Sequence, residues 1–340
     1  MSKKVLVTGG TGYIGSHTII DLIENGFTPI SVDNGVNSMA SILDQVSSIT
    51  GITVEHYNID LCDFAKTEQI FKEHEISGVI HFAALKAVGE SVEQPLRYFK
   101  NNIDSLLTVL ELSQKYQVKA FIFSSSCTVY GDVLSSPVTE ETPMQEAASP
   151  YGRTKQIGEQ IIRDTLAHQN KLKAVLLRYF NPAGAHTSGL LGEAPSAPAA
   201  NLVPVITETA IGKRESMSIF GTDYDTRDGS CIRDYIHVMD LAHAHTLALQ
   251  HILSGKQDQP VDIYNLGIGQ GATVLEVIKA FEETTQIKLN YQIAPRRPGD
   301  IMAIFANYDK AKEKLGWNPK YKIQDIMRTA WVWEQKRTKL

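Results

Sequence analysis

A buried-strand pattern from Lys3 to Thr8 runs straight into Thr8-Gly9-Gly10-Thr11-Gly12-Tyr13-Ile14-Gly15, and an apolar-periodic helical segment follows from about Ser16 to Asn25. Strand, glycine turn and helix in that order leave few folds open. Gly9 allows a sharp turn, Gly12 lets backbone approach a pyrophosphate, and Gly15 lets helix and strand pack closely, with phosphates over the helix N-terminus. The pattern predicts an α/β fold, a Rossmann-type doubly wound parallel sheet that binds a dinucleotide.

The next segments extend that frame. Pro29-Ile30-Ser31-Val32-Asp33 reads as a second strand ending in an acid, placed after the turn at roughly the 20-residue distance where such folds hold a ribose. A carboxylate there accepts from ribose hydroxyls and repels a 2′-phosphate, so NAD is expected rather than NADP. Asp33-Asn34-Gly35 is also a turn sequence, which is the structural alternative. Asn37 and Ser38 follow where the loop can continue around the ribose. Thr53 to Asn58 gives a third strand, with Asp60 and Leu61 at its end where an adenine would lie. Asp60 is equally well placed to cap the next helix. Gly78 to Ala84 is a fourth strand, and its small residues Ala83 and Ala84 suit close passage of a dinucleotide. Lys86 comes just beyond the strand's carboxyl end, the edge at which open sheets bind ligands.

Pro95 to Lys115 is a long amphipathic helix. It contains Asn101, which could reach the cofactor or serve as a structural polar group. Ala120 to Phe123 forms a fifth strand that delivers Ser124-Ser125-Ser126-Cys127-Thr128. Ser126 is the hydroxyl expected to meet substrate, with Ser124 and Thr128 as competitors. In Ser149-Pro150-Tyr151-Gly152-Arg153-Thr154-Lys155, Ser149 suits an N-cap and Pro150 the first helical position. Tyr151 and Lys155 then share one helix face. A free tyrosine has a pKa of about 10, and an ammonium one turn away favours the phenolate. A bound nicotinamide cation pushes the same way. The bland alternative is a buried tyrosine beside a solvated lysine.

Ala174 to Tyr179 is a sixth strand, and Phe180-Asn181-Pro182-Ala183-Gly184 ends the alternation. From His186 to Asn201 the composition turns to Gly, Ala, Pro and Ser, which marks the lobe boundary. Residues 1–185 are expected to form the NAD-binding domain, completed by segments around 235–268, and residues 186–340 mainly a smaller, less regular substrate lobe. Its loops carry Ser218-Ile219-Phe220-Gly221, Arg233 within Gly229 to Tyr235, and Arg296 and Arg297 within Ala294 to Asp300. Arginines on such loops suit bidentate capture of phosphate.

Composition narrows the partners. The 340 residues are 43% hydrophobic with a formal net charge of -5, and without a basic tract nucleic acid is not an expected partner. The apolar run Val5-Leu6-Val7 is too short for a signal peptide or a membrane span, so a cytoplasmic protein without membrane attachment is expected. Cys62, Cys127 and Cys231 lie far apart with no C-x-x-C pairing, and His243 and His245 face different ways on a helix. No disulfide framework and no metal site is expected.

Longer blocks carry a resemblance. Thr8 to His17, His81 to Ser91, Leu177 to Pro182 and Arg233 to Val238, with Ser126, Tyr151 and Lys155 in order between them, resemble the UDP-glucose 4-epimerase family within the extended short-chain dehydrogenase/reductases. The similarity runs from Lys4 to about Trp317. It implies that NAD stays bound and undergoes no net oxidation. Tyr151 as phenolate takes the proton of the sugar 4-hydroxyl while the C4 hydride passes to NAD. Ser126 holds the same oxygen, and Lys155 binds the nicotinamide ribose. The 4-keto sugar then turns, and hydride returns to its other face. On the cofactor side the resemblance implies Gly9, Gly12, Tyr13, Ile14, Gly15, Asp33, Asn34, Asn37, Ser38, Asp60, Leu61, Phe82, Ala83, Ala84, Lys86, Asn101, Ser124 and Phe180. On the UDP-hexose side it implies Asn181, Asn201, Leu202, Ser218, Phe220, Arg233, Tyr235, Arg297, Asp300 and Ile304, with Lys86 reaching both ligands. A homodimer through the helices around Gln94 to Lys115 and Lys155 to Ala167 is implied as well.

Two departures stand out. Ile304 falls where a bulky tyrosine resembles the forms restricted to simple UDP-hexoses, so an N-acetylated sugar could be admitted. Gly35-Val36 replaces a larger apolar residue in the ribose loop, with a small effect expected on NAD affinity. Two rival readings fit less well. A nucleotide-sugar 4,6-dehydratase would place an acidic pair just after the site serine, where this chain has Cys127-Thr128. A non-catalytic NAD-sensing regulator would have no need of both Tyr151 and Lys155.

Overall fold

In β1 (Lys4–Thr8) Val5 and Val7 turn to one face of a sheet and Leu6 to the other, and all three are fully buried. A strand apolar on both faces needs cover on both, which is the condition of a parallel sheet between helical layers. The structure, a computed structural model, describes residues 2–337 apart from 134, 169–170, 196–197 and 298–299.

The chain continues through α1 (Tyr13–Glu24), β2 (Thr28–Asp33), α2 (Ile42–Thr50), β3 (Glu55–Asn58), α3 (Phe64–Glu73), β4 (Ile76–His81), α4 (Val88–Glu93), α5 (Pro95–Lys115) and β5 (Ala120–Ser124). A 3-10 turn (Cys127–Tyr130), α6 (Pro150–Leu166), β6 (Lys173–Tyr179), β7 (Asn181–Ala183), α7 (Leu202–Ala210), β8 (Met217–Phe220), β9 (Ile232–Arg233) and β10 (Tyr235–His237) come next. The remainder comprises α8 (Val238–Leu253), β11 (Val261–Leu266), β12 (Ala272–Thr273), α9 (Val274–Thr285), β13 (Tyr291–Ala294), β14 (Ala303–Ile304), α10 (Asp309–Leu315) and α11 (Ile323–Arg337).

The seven-stranded sheet runs β3-β2-β1-β4-β5-β6-β11 and is parallel throughout. The chain leaves β1 toward β2 and returns across it to β4, so the switch point lies between the carboxyl ends of β1 and β4. Ligands bind at that point in open α/β sheets. The register sets Thr8 beside Val32 and His81, His81 beside Phe123, and Ser124 beside Leu177, so the strand ends form one edge. One face is covered by α1, α2, α8 and α10, the other by α3, α5 and α6. Each fully buried Leu or Ile in these layers contributes about 1.5–3 kcal/mol by leaving water.

A third apolar cluster, including Val203, Ile206, Ile219, Phe281 and Met327, forms the core beneath α7, α9 and α11. Short strand pairs sit around it, with β8 on β13, β10 on β7, and β9 between β12 and β14.

Two local expectations change. The first helix starts at Tyr13, directly after Gly12 at its N-cap, and not near Ser16. The cap of α3 is Asp63, whose side chain accepts from Lys66 N–H at 3.2 Å, whereas Asp60 Oδ1 accepts from Cys62 N–H at 2.9 Å, so Asp60 does not cap that helix. The predicted caps of α6 are as expected: Ser149 accepts from Gly152 N–H at 3.2 Å, and Pro150 occupies the first turn. Among the described residues, no helix is long and apolar enough to cross a membrane.

Candidate active site

The glycine turn is held by contacts that only a bare backbone allows. Gly9 has φ +68°, and a Cβ there would stand 2.9 Å from Ala83 N, while one on Gly15 would stand 2.2 Å from Gly9 O. The turn, the start of α1 and the segment after β4 are therefore pressed together. Gly9 N–H donates to Val32 O at 2.7 Å, which fastens the turn beside Asp33. Asp33 Oδ1 accepts from Gly35 N–H at 3.0 Å and from Ser38 Oγ at 3.1 Å, and Ser38 Oγ lies 2.6 Å from Thr11 Oγ1. Asp33 thus builds the turn that was its structural alternative, and it stays at the crevice while doing so. Asn34 and Asn37 are exposed on that loop, Leu61 is buried, and the Phe82 ring rests against His245 with ring centres 4.6 Å apart. Tyr13 reaches across to donate its hydroxyl to Gly184 O at 2.7 Å, and Ile14 packs into the core. These features fit a dinucleotide: close-packed glycines under a helix N-terminus, and a carboxylate at the end of β2.

Across the crevice stand the hydroxyls and the amine. Ser126 Oγ accepts from Thr128 N–H at 3.2 Å, and its hydroxyl acts on the Tyr151 phenol to favour the charged form. Ser124 is otherwise engaged, its hydroxyl bonded to Tyr179 and its carbonyl accepting from Lys155 Nζ at 2.7 Å. Thr128 Oγ1 is buried without a hydrogen-bond partner. Among the three competitors, then, Ser126 is the one whose hydroxyl favours the charged form of Tyr151.

Electrostatics depart from the sequence expectation. Burial pushes the Tyr151 phenol well above its ordinary pKa, Tyr179, Cys127 and Tyr98 push it further, and the Ser126 hydroxyl opposes them. Lys155 Nζ lies 5.9 Å from the centre of the Tyr151 ring and 5.0 Å from that of Phe123. Its amine donates to the Ser124 carbonyl, and burial outweighs the four-residue spacing in setting the proton affinity of the phenol. Burial also draws Lys155 itself down to about 8, against the pull of Glu159. Cys127, beside Ser126, is a thiol that burial pushes up to about 12.

The second lobe brings its predicted residues together around Asp300. Arg233 Nη2 meets Asp300 Oδ1 at 3.4 Å, and Arg297 Nε donates to Asp300 Oδ2 at 3.0 Å. Arg297 also stacks over Phe220 at 4.7 Å. Pro298 and Gly299, between them, lie outside the described residues. Arg296 stands apart, stacked on Tyr224 at 4.0 Å and paired with Asp223. Ser218 is on β8, Leu202 opens α7, and Tyr235 is turned into the lobe core within reach of the Arg233 and Arg297 charges. Phe180 and Ile304 share a small buried cluster with Val129, Tyr130, Val138 and Ala306, against which Cys127 packs.

Several contributors escaped the sequence reading. Glu193 joins the two sides, 3.8 Å from Lys86 Nζ and accepting from Asn201 Nδ2 at 3.1 Å. Asp234 is fully buried and accepts from Ile268 N–H at 2.7 Å, Gly269 N–H at 3.1 Å and Ala306 N–H at 3.0 Å. Burial raises its pKa, with those three bonds opposing. Asn102, not Asn101, is the buried asparagine of α5: it bonds both Leu85 N–H and Leu85 O and reaches Thr154 Oγ1. Asn101 is half-buried and donates to the Asn102 side chain at 2.9 Å. A charged residue within an apolar strand, as Arg178 is in β6, was the available signal for a buried partner. His243 pairs with Asp21 at 3.1 Å. Among the described residues, no group of three or more His, Cys, Asp or Glu side chains is placed to hold a metal ion.

Known proteins share this sequence and fold. Residues 6–330 match the family model described as GDP-mannose 4,6 dehydratase. The UDP-glucose 4-epimerase of Dictyostelium discoideum is 48% identical over 334 residues, covering 98% of this chain and 96% of that protein. The crystal structure of a Stenotrophomonas maltophila UDP-glucose 4-epimerase with bound NAD and formylated UDP-arabinopyranose superposes with a TM-score of 0.96 at 43% identity, covering 99% of both chains. The enzyme of Bifidobacterium longum in complex with NAD+ and UDP gives 0.94 at 47% identity, again over 99% of both chains. With sequence and fold matched over nearly its full length, this chain belongs to the UDP-glucose 4-epimerase family.

Proposed function

We infer that this chain is an NAD-dependent UDP-glucose 4-epimerase, which interconverts UDP-glucose and UDP-galactose by inversion at C4 and so acts in galactose metabolism. The observation that carries the reading is the Tyr151 phenol, drawn toward its charged form by the Ser126 hydroxyl with Lys155 one turn along, at the carboxyl edge that also carries the glycine turn. Bound NAD supplies the acceptance and return of the C4 hydride. The backbone from Gly9 to Gly15 would hold its pyrophosphate, Asp33 and Ser38 a ribose, and Lys86, Phe82 and Asn101 its further contacts.

The chain's own groups do the proton work. Tyr151 takes the 4-hydroxyl proton and returns it on the other face, as a general base and then a general acid. Ser126 donates to the sugar oxygen or to the phenolate as each gains charge. Lys155 contributes a positive charge beside the ring, which favours the phenolate that burial alone resists. Arg233, Arg297, Phe220, Asn181 and Asn201 would anchor UDP from the second lobe, leaving the hexose free to turn. Dehydration lacks support, because Cys127 and Thr128 stand where that elimination needs an acid.

Ile304 bears on the breadth of the sugar pocket. It is 5% exposed and packs with Phe180 and Val129 beside the Ser126 segment, and it is smaller than the tyrosine that restricts this position. We read this as acceptance of UDP-GlcNAc and UDP-GalNAc as well. A homodimer is supported by the apolar surface of α4 and α5, where Val92 is 61% and Leu96 82% exposed. Free thiols at Cys62, Cys127 and Cys231 suit the reducing cytoplasm.

Assaying UDP-galactose and UDP-GalNAc side by side without added NAD tests the reading. Formation of UDP-glucose and UDP-GlcNAc is expected, with NAD released on denaturation. No turnover of UDP-galactose by NAD-loaded protein would reject the function, and no turnover of UDP-GalNAc alone would reject the wider substrate range.

A further inference from the structure

Behind Tyr151 and Lys155 lies a buried polar layer that the site residues above do not account for. Tyr151, Lys155 and Glu159 follow at four-residue intervals along one face of α6. The Glu159 side chain is 1% exposed and its partner Arg178, on β6, 2%. Arg178 grips the carboxylate twice, with Nε at 2.8 Å and Nη2 at 2.6 Å. Ser125, between Ser124 and Ser126, donates its hydroxyl to Glu159 Oε1 at 2.6 Å. The layer continues from Arg178 Nη1 to Tyr130 Oη at 3.1 Å and from Tyr130 to Asn265 Oδ1 at 2.6 Å.

Stability alone does not call for such a layer. Desolvation offsets most of the attraction in a buried ion pair, and apolar side chains of equal volume would hold the elements as well. Apolar side chains would not fix α6, the Ser124–Ser126 segment and β6 at hydrogen-bond length, nor set a negative charge one turn behind Lys155. That is what Glu159 does. We propose that Glu159, clamped by Arg178 and Ser125, is a positioning residue that sets the Tyr151 phenol against the Ser126 hydroxyl and supports the Lys155 ammonium. The proposal rests on the epimerase reading above.

The groups facing the pair from other elements do not supply that charge. His81 of β4 is held neutral by burial, down to about 3, and Tyr98 of α5 is raised by burial. Cys127 of the 3-10 turn and Tyr179 of β6 stay protonated, each pushed up to about 12 by burial. Arg178 is positive. Among these groups the negative charge acting on Lys155 is that of Glu159, which raises the affinity of the amine for its proton against the effect of burial.

The test uses the NAD-loaded protein with 13C at lysine Cε, so that Lys155 protonation is followed by its own chemical shift while turnover of UDP-galactose is measured across pH. Glu159→Gln keeps the size and one acceptor oxygen and removes the charge. The Lys155 midpoint and the alkaline limb of kcat are both expected to move to lower pH by about one unit, with an approximately tenfold loss of kcat at pH 8.5 and little change in KM. A Lys155 midpoint and pH profile identical to wild type would overturn the electrostatic support. Ser125→Ala removes a single hydroxyl, so it tests positioning even if Glu159→Gln fails to fold. A several-fold fall in kcat at constant KM is expected, and an unchanged kcat would overturn the positioning role. Wild-type protein that does not turn over UDP-galactose would reject the epimerase reading, while the two midpoints still decide the electrostatic half of this one.

Discussion

Lys155 Nζ stands 5.9 Å from the centre of the Tyr151 ring and donates to the Ser124 carbonyl at 2.7 Å, so the amine is held between the ring and the strand end. Burial resists charge on both groups: it draws Lys155 down to about 8 and raises Tyr151 above its ordinary value. The site is built from two residues whose working forms the fold disfavours. Such strain is a usual price of activity.

Replacing Lys155 separates the two sides of that conflict. The amine has a lower pKa folded, about 8, than unfolded, about 10.4. Its cost to stability is therefore full below pH 8 and relieved as the pH rises toward 10. Lys155→Met should lose at least about 100-fold in kcat, yet melt at the same or a higher temperature at pH 7. Wild type should gain stability relative to the variant between pH 8 and 10. Calorimetry across that range checks the sign, and a variant melting well below wild type at pH 7 would contradict it.

Tyr151→Phe leaves the ring and removes the proton-transferring oxygen. A fall in kcat of about 10²–10⁴-fold is expected, with UDP affinity by titration calorimetry unchanged. A variant turning over at the normal rate would remove Tyr151 from its role.

Ile304→Tyr adds bulk beside Phe180 and Val129, where the proposed sugar pocket lies. Turnover of UDP-GalNAc should fall by roughly 10-fold or more while that of UDP-galactose stays within a few-fold. Equal losses on both sugars in parallel kcat/KM measurements would count against a gate at this position.

Asp234→Asn replaces one accepting oxygen with a donor that would face backbone N–H groups. A loss of about 1–3 kcal/mol is expected from denaturant unfolding. Because Arg233 is the preceding residue and Ile304 pairs with it in register, a raised KM for UDP-sugars should accompany the loss. Wild-type stability would show that the three bonds are dispensable.

What the sequence made legible was local. The glycine turn, the caps of α6 and the buried run of β1 each depend on residues a few positions apart, and the structure holds them nearly where the pattern set them. Asp234 and Arg178 were not legible because their partners are distant: Ala306 N–H comes from 72 residues away and Glu159 from 19. Glu193 sits in a loop whose composition marks only irregularity. The Tyr151–Lys155 spacing correctly predicted one helix face, but spacing cannot report burial, and burial sets both proton affinities.

The central claim is that one hydrogen leaves C4 and the same hydrogen returns to its other face, with Tyr151 moving only the hydroxyl proton. Conversion of UDP-galactose carrying deuterium at C4, followed by NMR or mass analysis of the UDP-glucose formed, tests this most directly. The account predicts full retention of deuterium at C4 of the product; loss of the label to solvent in step with turnover would contradict it.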